Sequence, residues 1–171
     1  MAEADAQTGS PFWRFSLRFY RQPGVADACI ALQDGCGVDV NLLLFLLWLA
    51  ASKRGVGHGE VAALYAKTLS WRDDVVAPLR ALRRKLKAGS SLVEAATAEF
   101  FRTRLKAVEL EAERLQQEAL FALAGGLVTT ADPSVEAAAR ANTAAYERVL
   151  GRRLTPEAVG TLVAALAKDN Q

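Results

Sequence analysis

Leu42-Leu43-Leu44-Phe45-Leu46-Leu47-Trp48-Leu49 is apolar on every side of any helix it forms. Outside a membrane such a helix must be enclosed on all its faces, so this stretch predicts the central element of the fold. The apolar run ends at Ala51, well short of the ~20 residues that a membrane span requires. Asp39 stands just before it, where a carboxylate accepts hydrogen bonds from the first free amides of a helix.

Composition outward from this run agrees with a helical protein. The 171 residues include 33 alanines and 24 leucines, against a single isoleucine, Ile30. The 14 valines and 9 threonines are scattered rather than set in alternating runs, which argues against a β-sandwich or barrel. With 12 glycines, 5 prolines and 51% hydrophobic residues, the chain is not of a disordered kind either. The expected fold is all-α, a multi-helix bundle of about eight helices around the apolar helix at about 39–53. A single helical domain is expected over 10–171, with a soft boundary at 125–132 and a flexible polar tail over 1–9.

Capping residues before prolines mark helix starts at Ser10-Pro11, Asp132-Pro133 and Thr155-Pro156. Capping-box patterns begin at Ser70 and at Ser91. With the glycines as stops, these signals predict helices over roughly 10–21, 23–34, 39–53, 58–69, 70–88, 91–124, 132–150 and 155–168. Pro78 lies inside the fifth, where a kink or split is expected. The sixth, at about 91–124, has the clearest period. Phe101, Leu105, Val108, Ala112, Leu115, Ala119 and Leu123 form one apolar seam, suited to the spine of a bundle or to one half of a homodimer contact.

Chemistry-bearing residues are few. Gln33, Asp34, Asp39 and Asn41 gather at the mouth of the apolar helix and, with Trp48 and His58, are the candidate ligand-binding set. The competing expectation is structural, with Asp39 capping and Asn41 in the first turn. His58 is the sole histidine; no nucleophile elbow or triad accompanies it, so no catalytic residue is assigned. Cys29, Cys36 and His58 fit no standard zinc spacing, and no metal or cofactor is expected. Gly55-Val56-Gly57-His58-Gly59 follows a predicted helix and has Glu60 where a dinucleotide fingerprint needs glycine, so that motif is rejected.

Two basic groups are candidate interaction surfaces. Arg14, Arg18 and Arg21 line the first helix among Phe12, Trp13, Phe15, Phe19 and Tyr20. Arg80, Arg83, Arg84, Lys85 and Lys87 form the denser cluster, read either as a solvated face or as a phosphate-neutralising patch. A net charge of +2 does not by itself argue for nucleic acid.

Phe12-Trp13-Arg14-Phe15-Ser16-Leu17, Tyr20-Arg21-Gln22-Pro23-Gly24-Val25, Ala28-Cys29-Ile30-Ala31-Leu32-Gln33-Asp34 and Gly37 to Phe45 with Trp48-Leu49 make one block. Trp71, Val75-Val76, Pro78 to Arg84 and Leu86-Lys87 make a second. In these blocks the chain resembles an uncharacterised family of small bacterial proteins of unknown function. The resemblance implies a bacterial cytosolic helical protein, without an activity or catalytic residues to carry over. Two free cysteines and a polar start without an apolar signal core agree with a cytoplasmic address.

The leading expectation is a non-enzymatic protein-interaction or adaptor module with a protein partner. The alternative is a small-molecule or lipid-binding bundle, or an enzyme, with a pocket near Asp34, Asp39, Asn41 and His58. Nucleic-acid binding through Arg80–Lys87 ranks third.

Overall fold

The structure, a computed structural model, describes residues 9–89 and 91–169. The polar tail expected over 1–9 lies, up to residue 8, outside the described residues. Among those described are seven helices and one two-stranded ribbon. In chain order they are α1 (Pro11–Tyr20), α2 (Val25–Cys36), α3 (Val40–Ala51), β1 (Arg54–Val56), α4 (58–86), α5 (Ala95–Leu123), β2 (Thr129–Ala131), α6 (Val135–Leu150) and α7 (Pro156–Asp169). The chain divides into two compact units. Among the described residues, one takes those up to Ala66 together with those from Gln117 to Asp169, and the other lies within Lys67–Gln116.

In the first unit, α3 is the enclosed centre that its sequence demands. Leu42, Leu43, Phe45, Leu46 and Leu47 are completely buried, Leu44 and Leu49 nearly so, and only Trp48 is half-buried. Each such side chain contributes about 1.5–3 kcal/mol by leaving water. Helices α1, α2, α6 and α7 and strand β1 surround it. α6 offers Ala138, Ala139 and Ala145, all fully buried, so its backbone can come close to the bulky leucines. Aromatic rings close one side: Phe12 meets Phe45 edge-on at 5.2 Å, and Trp48 meets Phe121 at 5.6 Å.

Local capping sets most helix starts where the sequence places them. Ser10 Oγ accepts from the Trp13 amide, and Asp39 accepts from those of Asn41 and Leu42. Two starts move. Asp132-Pro133 does not cap α6; Ser134 does, accepting from the Ala137 amide, while the Asp132 amide donates to the Lys53 carbonyl. α5 begins at Ala95, with Glu94 accepting from the amides of Ala96 and Thr97, rather than at Ser91. The small antiparallel ribbon pairs Arg54 with Ala131 and Val56 with Thr129. It was not expected, because three-residue strands carry too little alternation to register in a sequence. Gly55 lets the ribbon pack closely, since a side chain at that position would displace the Asp132 carboxylate and the Thr130 hydroxyl.

Eight helices become seven because the fourth and fifth expected helices are one. Within α4, two α-helical segments, His58–Trp71 and Ala77–Leu86, are joined by a π-helical turn over Arg72–Val76. Pro78 is the physical reason. It cannot donate to the carbonyl four residues back, and its ring would strike that carbonyl in a regular helix. The wider turn, in which the Ala77 amide donates to the Arg72 carbonyl, takes up the misfit without ending the helix. The capping pattern at Ser70 is thus overridden by helix continuity.

The second unit is a helical hairpin of the 67–86 and 95–116 limbs. Trp71 Nε1 donates to the Ala112 carbonyl at 2.9 Å. Val76, Ala98, Leu105 and Ala112 are its buried apolar residues. The single seam expected along 91–124 is split within this unit: Leu105 and Ala112 turn inward, whereas Phe101, Val108 and Leu115 are exposed.

Candidate functional site

In the first unit, the buried Asp39 and Asn142 side chains hold backbone, and the buried Asn41 and Gln117 hold each other. The Asp39 carboxylate caps α3, and the Asp39 amide donates to the Tyr146 hydroxyl at 3.0 Å. Gln117 Nε2 donates to Asn41 Oδ1 at 2.8 Å, tying the end of α5 to the first turn of α3. Asn142, fully buried on α6, accepts from the Val56 amide and donates to the carbonyls of Leu46 and Arg54. That one amide therefore joins α6, α3 and β1.

The candidate ligand set is distributed among these roles. Asp34 is exposed near the end of α2 and accepts from Gln33 Nε2. Trp48 sits in the aromatic cluster with Phe12, Phe45 and Phe121. His58 is exposed at the first residue of α4. Cys29 is fully buried, and burial pushes its thiol up to about 12, which leaves it protonated and unreactive at neutral pH. Among the described residues, no group of three or more His, Cys, Asp or Glu side chains is arranged to hold a metal ion. No helix among them is long and apolar enough to cross a membrane.

The arginine stripe of α1 is partly engaged. Arg18 pairs with Asp169 of α7 at 2.8 Å, and Gln22 donates to the same carboxylate, so this contact staples α1 to α7. Arg14 donates to the Gly9 carbonyl, and Arg21 is exposed.

The hairpin carries the denser electrostatics. Glu109, whose side chain is only 7% exposed, accepts from both Arg80 and Arg83; Glu113 takes a second donor of Arg80. Arg80 and Arg83 of the 80–87 cluster are therefore ion-paired inside the hairpin, and Arg84, Lys85 and Lys87 have exposed side chains. Glu109 was not singled out in the sequence. Its position on the buried face with Leu105, Ala112 and Gln116 is the signal that marks it, since a carboxylate there needs cationic partners.

Residues 11–120 match the family described as "protein of unknown function (DUF2390)". The chain belongs to that family. No curated protein and no solved structure matches it. The DUF2390 match runs from α1 into α5 and takes in the whole hairpin, so both sequence blocks that suggested an uncharacterised family lie within it.

What the arrangement can do follows from its surface. The DUF2390 chain encloses its greasiest helix almost completely, yet exposes Phe100, Phe101, Val108, Leu110 and Leu115 on the hairpin helix α5. Apolar side chains gathered on one element mark a place of contact more often than scattered ones do.

Acid should loosen this surface. The Arg72 guanidinium holds the Asp73 carboxyl below its ordinary range, Arg102 does so for Glu99, and Arg114 for Glu111; the amides of Ala96 and Thr97 lower Glu94. All four lie in the hairpin. Groups whose folded values are depressed contribute stability above their unfolded values, near pH 4, and lose it as pH falls through the folded ones. The α-carbon NMR shifts of residues 95–116 should accordingly drift from helical values as pH drops from about 6 to about 3. Shifts that stay constant over that range would contradict this linkage.

Proposed function

We propose that this protein is a non-enzymatic interaction module whose contact surface is the exposed face of α5 in the 67–116 hairpin. The observation that carries the reading is the split seam. Along a helix with apolar residues at every heptad step, the hairpin covers Leu105 and Ala112 and leaves Phe101, Val108 and Leu115 exposed. Burying an exposed phenylalanine at an interface is worth up to about 2–3 kcal/mol, enough to anchor a partner. The Arg80–Glu109–Arg83 cluster makes the hairpin a firm platform, because two arginines of the 67–86 limb hold one buried carboxylate of the 95–116 limb. A cytoplasmic setting is part of the proposal, supported by the two free thiols.

Capture from extracts of the native host tests the reading. The wild-type chain should retain a specific protein, this chain included, that the Phe101→Glu variant loses, with far-ultraviolet dichroism showing the variant folded. Equal capture by both proteins, or capture of nothing, would overturn the surface assignment.

A further inference from the structure

We infer that the partner covering this face is a second copy of the same chain, its α5 laid antiparallel across the first with a two-fold axis beside Val108. The inference rests on the reading of α5 as a contact surface and names what occupies it.

Three observations carry it. Ala98, Leu105 and Ala112, seven residues apart, are 7%, 8% and 5% exposed; Phe101, Val108 and Leu115, also seven apart, are 52%, 53% and 45% exposed. These two stripes are the a and d positions of a heptad seam, and only one of them is covered within the chain. The open stripe is, second, symmetric about its middle. Phe101 and Leu115 stand about 10 Å on either side of Val108 at the rise of a helix. A two-fold axis there turns the helix end for end, so Val108 meets Val108, and Phe101 meets Leu115 of the second copy. Such a contact closes on itself as a dimer and does not run on into a fibre.

Charge then chooses the direction. Arg104 precedes Val108 on the same face, and Glu111 follows it. Both are exposed, and Arg104 makes no ion pair among the described residues. The Glu111 carboxylate, although bridged to Arg114, keeps a side chain 52% exposed. Antiparallel helices bring Arg104 opposite Glu111 of the second copy, within about 1.5 Å along the axis, and do so twice. Parallel helices would set arginine on arginine and glutamate on glutamate. Flanking charges of this kind are what fix the orientation of paired helices.

Sedimentation equilibrium of the full chain, up to about 200 µM, reads the result. Wild type should dimerise. Arg104→Glu and Glu111→Arg should each weaken the dimer about tenfold or more, and the doubly exchanged chain should recover to within about threefold of wild type. Orientation comes from thiol cross-linking in a Cys36→Ser background. A mixture of Phe101→Cys and Leu115→Cys chains should link to each other, and Phe101→Cys alone should not link to itself.

A chain that stays monomeric, single exchanges without effect, a double exchange that does not recover, or preferential 101-to-101 linkage would each overturn the inference. A monomer that still captures a host protein through Phe101 would remove the second copy and leave the contact surface standing. A monomer that captures nothing would remove both.

Discussion

Replacing Asn142 with alanine is expected to destabilise the chain by about 3 kcal/mol in urea unfolding, a large share of a typical total of about 5–15 kcal/mol. The side chain is fully buried, and its three hydrogen bonds reach backbone 86, 88 and 96 residues away. Its loss strands the Val56 amide, which depends on Asn142 Oδ1 at 2.7 Å. The carbonyl of Leu46 suffers less, since it lies in mid-helix and keeps its partner in α3. A buried donor without a partner costs about 1–3 kcal/mol, and the void left by the amide adds to this. Asn142→Asp should be at least as harmful, because it keeps the acceptor but removes both donated bonds and brings a charge into the core. A loss under about 1 kcal/mol for the alanine variant would mean that the bridge does not hold α6 to α3 and β1.

In the hairpin, Glu109→Ala should cost about 2–3 kcal/mol, somewhat less than removing one member of a fully buried ion pair. The discount has two sources. The Arg80 and Arg83 side chains keep 20% and 24% exposure, so both guanidinium groups have a path to water. Glu113 also remains as a partner for Arg80. Glu109→Gln should recover part of the loss by accepting hydrogen bonds without the charge. Hydrogen exchange of amides in 95–116 is the suitable readout, since faster exchange there reports opening of the hairpin itself. Unchanged exchange would show that the Arg80–Glu109–Arg83 cluster is no structural element. High salt should weaken the effect only modestly, because the carboxylate at the centre is shielded from solvent.

These two residues show where sequence reading stops. Asn142 stands in an alanine-rich stretch, Ala139 to Ala145, where a lone amide looks like an ordinary helix-surface residue. Only its neighbours Ala138, Ala145 and Tyr146, about one turn away on the same side of α6, hint that it faces inward. Glu109 belongs with Glu111 and Glu113 to a run of carboxylates at every second position, which suits a solvated face equally well. The 80–87 basic cluster likewise reads as one patch, although Arg80 and Arg83 reach back across the hairpin to Glu109. Asp39, by contrast, was legible as a cap because its partners are the next amides along the chain.

Sequence alone determined that the protein is all-α, that 42–49 is its enclosed centre, and that α1, α3 and α7 begin beside Ser10, Asp39 and Thr155. Those are consequences of local chemistry: helical period, capping oxygens and proline geometry all act within one or two turns. Tertiary structure decided what lies beyond that range. It merged 58–86 into one helix through a π-turn, and spent Asn41 on Gln117 and Glu109 on two arginines. It also covered one stripe of the α5 seam and left the other open. Periodicity reports which faces of a helix are apolar, but the element that comes to cover each face is set by long-range packing. The exposed Phe101–Val108–Leu115 stripe is therefore a feature that only the folded chain displays.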